Sequence, residues 1–186
     1  SVEKGVNVKD IYIYVFQPVQ YEIGRLWQQN IINVAQEHYS TAATQMIMSR
    51  LYPYIFSNEK NGKKLLSTCV SGDLHEIGIR MVSDFFEMDG WDTYFLGGNT
   101  PKNDLIKAAV EFKPDIIAIS ATLSLNLENV KGIIQEIRNN SVLNKTKIMV
   151  GGYPFNSNQD LWKIIGADAF SSNAENAIRI SNSLLN

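Results

Sequence analysis

The stretch Ser71–Arg80 reads SGDLHEIGIR and sets Asp73, His75 and Gly78 directly after the apolar run KLLSTCV. The chain has 2 histidines in 186 residues, and this one stands two places after an aspartate, between a strand-like and a helix-like segment. An imidazole beside a carboxylate serves as a general base, as a metal ligand through its second nitrogen, or as a solvated surface group. Two further short stretches carry polar or space-making residues. Ser120-Ala121-Thr122 closes the run DIIAIS, and Gly151-Gly152 closes KIMV. Hydroxyls anchor polar groups and glycines leave room for a close approach. Taken singly, the three features are a capping histidine, a Ser-x-Thr helix cap and a turn.

What joins them is the order of elements. From Lys64 onward, short β-rich runs alternate with helical segments. Strands are expected at 64–70, 92–97, 115–120, 147–151 and, weakly, 169–172. Helices are expected at about 77–88, 101–112, 127–139, 158–165 and 174–185. Runs such as IIAIS are apolar on both faces, as parallel strands covered by helices must be. Five such units predict a flavodoxin- or Rossmann-like doubly wound sheet of five parallel strands. Ligands of these sheets bind beyond the carboxyl ends of the strands. Asp73-His75, Ser120-Thr122 and Gly151-Gly152 all fall at that edge, which describes a slot with a histidine at its mouth.

Residues 8–57 have a different pattern, with apolar residues at helical spacing and no strand alternation. Pro18 should interrupt the first helix. Asn30 and Asn33 flank a break, with Asn33 as N-cap of one long helix running to about Phe56. The expected division is a helical cap over 1–58 and an α/β domain over 59–186. Two helices bury little core alone, so the cap needs the α/β domain, a partner or further helices to pack on.

Composition narrows the function. The net charge of −2 comes with no dense Lys/Arg stripe, which argues against a nucleic-acid surface. The basic piece EKNGKK at 59–64 reads as a solvated linker. The single cysteine, Cys69, rules out an internal disulfide and a cysteine-based zinc site. It lies within an apolar strand and reads as a small core residue. No apolar run approaches the length of a membrane span, and SVEKGVNVKD has no apolar core of a signal peptide. The expected setting is the cytoplasm.

The pattern Asp73-x-His75-x-x-Gly78, 41 residues, Ser120-x-Thr122, 28 residues, Gly151-Gly152 resembles the cobalamin-binding domain of methionine synthase, corrinoid mutases and corrinoid methyl carriers. The resemblance covers about 60–186. It implies that His75 replaces the nucleotide base as lower ligand of cobalt, with Asp73 accepting a bond from its other nitrogen. It implies that the displaced dimethylbenzimidazole tail enters the sheet beside Gly78, Ser120, Thr122, Gly151 and Gly152.

The helical half contains Trp27, nine residues, then Glu37-His38. This spacing resembles the cap of light-responsive cobalamin photoreceptors, which implies that Trp27, Glu37 and His38 lie near the upper face of the corrin. Where those photoreceptors carry a second cobalt-binding histidine after the Trp, this chain has Gln28. The reading is therefore a cobalamin-binding sensor, responsive to light or to the upper ligand (adenosyl or methyl), with a homo-oligomer or a signalling protein as partner. The alternative is a corrinoid protein that carries methyl groups for a methyltransferase partner.

Overall fold

The computed structural model describes residues 2–56, 59–158 and 160–186. Its packing divides the chain into 1–57 and 58–186. In the first unit, α1 (Val8–Ile11) runs through a π-helical turn at Tyr12–Phe16 into α2 (Gln17–Gln28), followed by α3 (Val34–Arg50) and α4 (Tyr52–Ile55). Pro18 does not break the helix. The Gln17 N–H reaches back to the Tyr12 carbonyl, and the widened turn accommodates a proline in the first turn of α2. The chain reverses at Asn30 in the left-handed region (φ 57°). Asn33 then caps α3, its side chain accepting from the Gln36 N–H while the Gln36 side chain accepts from the Asn33 N–H, each at 3.0 Å. The single long helix expected to Phe56 divides at Leu51, because Pro53 has no N–H for the carbonyl one turn back. Tyr12, Phe16, Met48 and Ile55 are buried here, and Gln20 donates to Thr44 at 2.8 Å between α2 and α3.

The second unit alternates strand and helix throughout. β1 (Lys64–Cys69), α5 (Ile77–Met88), β2 (Asp92–Phe95), α6 (Lys102–Phe112), β3 (Ile116–Ser120), α7 (Leu127–Asn139) and β4 (Lys147–Gly151) come first. The short helices α8 (Tyr153–Ser157) and α9 (Leu161–Ile164), β5 (Ala169–Phe170) and α10 (Ala174–Leu184) follow. All strands are parallel, in the order β2-β1-β3-β4-β5, which is the flavodoxin-like doubly wound sheet. The helix expected at 158–165 is instead α8 and α9, with Pro154 in the first turn of α8; position 159 lies outside the described residues. Among the described residues no helix is long and apolar enough to cross a membrane.

Side-chain alternation sorts the core into two layers. Leu66, Val70, Ile117, Ile119, Ile148 and Val150 face α6 and α7. Leu65, Cys69, Ile116, Ala118, Met149 and Ala169 face α5 and α10. The EKNGKK segment is not a solvated linker. Lys60 pairs with the buried Glu87 and donates to the Trp91 carbonyl at 2.8 Å, and the Asn61 N–H donates to the Gly90 carbonyl at 2.7 Å.

Candidate functional site

The strand order reverses between β1 and β3, and the crevice of a doubly wound sheet opens at that switch point. Two loops leave the sheet there, Val70–Glu76 after β1 and Ala121–Leu123 after β3. Asp73 joins them. Its side chain is fully buried. One carboxylate oxygen, Oδ1, accepts from the His75 backbone N–H at 3.0 Å and meets the His75 ring Nδ1 at 2.8 Å. The other, Oδ2, accepts from the Thr122 backbone N–H at 2.5 Å. Burial pushes the Asp73 carboxyl up, but the bonds from the His75 ring, the Thr122 N–H and the His75 N–H outweigh it and hold the group below its ordinary value. An ionised Asp73 keeps the imidazole proton on Nδ1 and directs the Nε2 lone pair away from the carboxylate. The His75 side chain is 54% exposed, so the ring stands at the mouth of the crevice. With Asp73 committed to these bonds, the pair offers a metal one donor, the imidazole.

Below that mouth, the layer between the sheet and α5 and α10 changes in side-chain size along the strands. Leu65 and Ile116 fill its lower rung, and Met149 stands in the next one, level with Ser67 and Ala118. Toward the carboxyl ends, the same face carries Ser67 and Cys69 on β1, Ala118 and Ser120 on β3, Gly151 on β4 and Ser171 after β5. A Cβ at Gly151 would lie 3.2 Å from the Ser171 carbonyl, so this corner is close to the backbone itself. On α5, a Cβ at Gly78 would meet nothing within 4 Å. A strip of small side chains therefore runs along this face at the carboxyl ends of β1, β3 and β4.

Several residues have roles that differ from those their types suggested. Gly152 has φ 106°, and a Cβ there would overlap the Ala121 carbonyl, so this glycine lets β4 close onto the end of β3. Thr122 acts on Asp73 through its backbone N–H, which any residue but proline would supply. Cys69 is fully buried, and its thiol is pushed upward by burial and by the Asp73 and Glu76 carboxylates against a bond from Ser120. It is thus held protonated, as a packing residue.

The sequence reading missed the loop after β2. The Gly98 N–H donates to Glu76 Oε2 at 2.5 Å, and Asn99 accepts from the Gly72 N–H at 2.8 Å. Cβ atoms at Gly97 and Gly98 would lie 3.1 and 3.2 Å from Glu76 Oε2. This second glycine pair at a strand end, in FLGGNT, had the same signal as Gly151-Gly152. It lets the β2 loop brace the turn that carries His75.

In the helical unit, Trp27 lies in the last turn of α2 and is 44% exposed. Glu37 and His38 lie in the first turns of α3. Glu37 accepts from the Thr41 hydroxyl at 3.0 Å, while His38 is 71% exposed and its Nε2 lies 3.6 Å from Glu37 Oε2. Residues 29–33 make the turn between the two helices. The Trp-x9-Glu-His spacing therefore brackets a helical hairpin.

Residues 63–180 match a family model described as the B12 binding domain, and residues 1–52 match a second model of the same description. A dimethylamine corrinoid protein of Methanosarcina barkeri is 30% identical over 167 residues, covering 90% of this chain and 76% of that protein. The structure of the Methanosarcina barkeri monomethylamine corrinoid protein superposes with a TM-score of 0.85 at 22% identity, covering 98% of this chain and 86% of that one. A chain of the methanol:cobalamin methyltransferase complex of the same organism superposes at 0.62 and 18% identity, covering 100% of this chain and 70% of that one. These relatives overturn the sensor reading. The match to the dimethylamine corrinoid protein spans the helical half as well as the sheet. The photoreceptor likeness rested on a hairpin spacing, which records helix and turn lengths and carries no photochemistry.

Proposed function

The chain belongs to the B12-binding family, and from that premise we propose that it is a corrinoid protein that carries a methyl group for a methyltransferase system, with methylcobalamin as its methylated form. The observation that carries this reading is the pair of bonds by which Asp73 fixes His75 and ties it to Thr122 across the switch point. The residues present fit the cofactor. An exposed imidazole has its tautomer set, and the strip lined by Ser67, Cys69, Ala118, Ser120 and Gly151 suits a displaced nucleotide tail.

When bound, the corrinoid supplies a cobalt that accepts a methyl group and gives it up again. The protein's own part is to hold one good donor in place. His75 would hold the cobalt through Nε2, and Asp73 retains the Nδ1 proton, which would raise the ring's basicity as a ligand. Thr122 fixes the second carboxylate oxygen, which holds the donor in its orientation. Glu76 and Gly98 brace the same turn from β2.

The partner in this reading is a methyltransferase that takes its methyl group from a methylated amine. The test is to load the chain with cobalamin, reduce it, and add purified methyltransferases for mono-, di- and trimethylamine with their substrates. Methylation of the protein-bound corrinoid by one of them is expected. No methylation by any of the three, with the corrinoid bound and reduced, would contradict the methylamine assignment.

A further inference from the structure

The chain has one Asn-Gly pair, Asn61-Gly62, and one Asp-Gly pair, Asp89-Gly90. Such pairs cyclise readily, because the glycine nitrogen attacks the preceding side-chain carbonyl carbon with no Cβ in the way. The fold sets the two pairs against each other. The Asn61 N–H donates to the Gly90 carbonyl at 2.7 Å, and Asn61 Nδ2 donates to the Asp89 carbonyl at 3.0 Å. One pair is guarded and the other is open. Gly90 is buried, and its N–H is engaged with the Glu87 carbonyl at 3.0 Å. Gly62 is exposed, and its N–H has no hydrogen-bond acceptor among the described residues. It adopts φ 80°, and nothing lies within 4 Å of where a Cβ would stand. Asn61 Oδ1 accepts from the Lys63 N–H at 2.9 Å, an Asx turn whose ring contains both Asn61 Cγ and the Gly62 nitrogen. That donor sits on the oxygen where negative charge gathers when Cγ is attacked, as in an oxyanion hole.

We propose that Asn61 is a site of spontaneous covalent modification in the folded protein, and that the modification loosens the segment leading into β1. The Gly62 nitrogen, after giving its proton to hydroxide, attacks Asn61 Cγ. A C–N bond forms, the bond from Cγ to Nδ2 breaks, and Nδ2 leaves as ammonia with a proton returned by water. A second water then opens the cyclic imide to aspartate or isoaspartate. The reaction needs water alone and is independent of any bound cofactor. Its product cannot keep the native contacts. A carboxylate at position 61 has no proton for the Asp89 carbonyl. Isoaspartate also adds a backbone carbon between the N–H that holds Gly90 and the Lys63 carbonyl that accepts from Asp92. Both products weaken the attachment of this segment to the turn between α5 and β2.

The experiment incubates the chain at mildly alkaline pH, folded and in urea, and follows intact mass, enzymatic labelling of isoaspartate, and peptide maps that locate the label. In the folded wild type, label and the mass gain of amide-to-acid conversion should accumulate at Asn61, with none at Asp89. In urea both positions should react. Asn61→Gln, whose longer side chain closes a larger ring, should leave position 61 unmodified. Freshly prepared Asn61→Asp reproduces one product and should melt about 2–4 °C below the wild type, the scale of one lost hydrogen bond in a chain of this size. Reaction of Asn61 only in urea, or labelling of Asp89 in the folded chain, would overturn the assignment of the site. An Asn61→Asp variant that melts with the wild type would overturn the loosening.

Discussion

Asp73 holds three bonds on two oxygens, and each has a different consequence. The bond to His75 Nδ1 sets a tautomer, the bond to the His75 N–H fixes the turn, and the bond to Thr122 ties β1 to β3. Because these bonds leave its folded pKa below the unfolded value of about 3.9, Asp73 contributes stability that is fully present above that pH. The contribution is lost as pH falls through the folded value. Asp73→Asn should therefore flatten the acid limb of the apo stability curve, measured by urea denaturation between about pH 2 and 6. It should also weaken corrinoid binding about 10- to 100-fold, the usual cost of losing the partner of a metal-bound histidine. An unchanged acid limb and unchanged affinity would remove Asp73 from this role. Asp73 and His75 were legible in the sequence because they are two residues apart and one turn of chain brings them together. Gly152 was noticed for the wrong reason: the space it makes is taken by the Ala121 carbonyl.

At the scale of elements, the strands were readable because parallel strands covered on both faces must be apolar throughout. The departures occur where proline acts through its neighbours. Pro18 widens the preceding turn, Pro53 divides α3 from α4, and Pro154 opens α8 where a later helix was expected. The segment before β1 is the other departure, and its reason is electrostatic. Glu87, 3% exposed at the end of α5, needs a cation and takes Lys60, while Thr93 donates to its other oxygen at 2.7 Å. This clamps the segment to the α5–β2 turn. Lys60→Met should leave the carboxylate buried with Thr93 alone and cost about 1–3 kcal/mol, below the figure for a fully buried pair because Lys60 is 44% exposed. Chemical denaturation of the variant checks this, and a cost near zero would show that Glu87 is satisfied without Lys60.

For the whole molecule, fold class and cofactor could be read from three loops at one edge of a sheet, because distant segments converge there by topology. Function could not be read as far, since a helical cap followed by a corrinoid domain is shared by sensors and carriers. Trp27, Glu37 and His38 report a hairpin, and only relatives along the whole chain separated the two readings. The central claim is that a protein imidazole, His75, replaces the cofactor's own base on cobalt. Its most direct test is the electron paramagnetic resonance spectrum of the bound cob(II)alamin in protein labelled with ¹⁵N-histidine. One axial nitrogen from His75 predicts superhyperfine triplets in unlabelled protein that become doublets on labelling, and loss of that change in His75→Ala. Triplets that persist in the labelled wild type would mean the cofactor's base is still on the metal, and would contradict the assignment of His75.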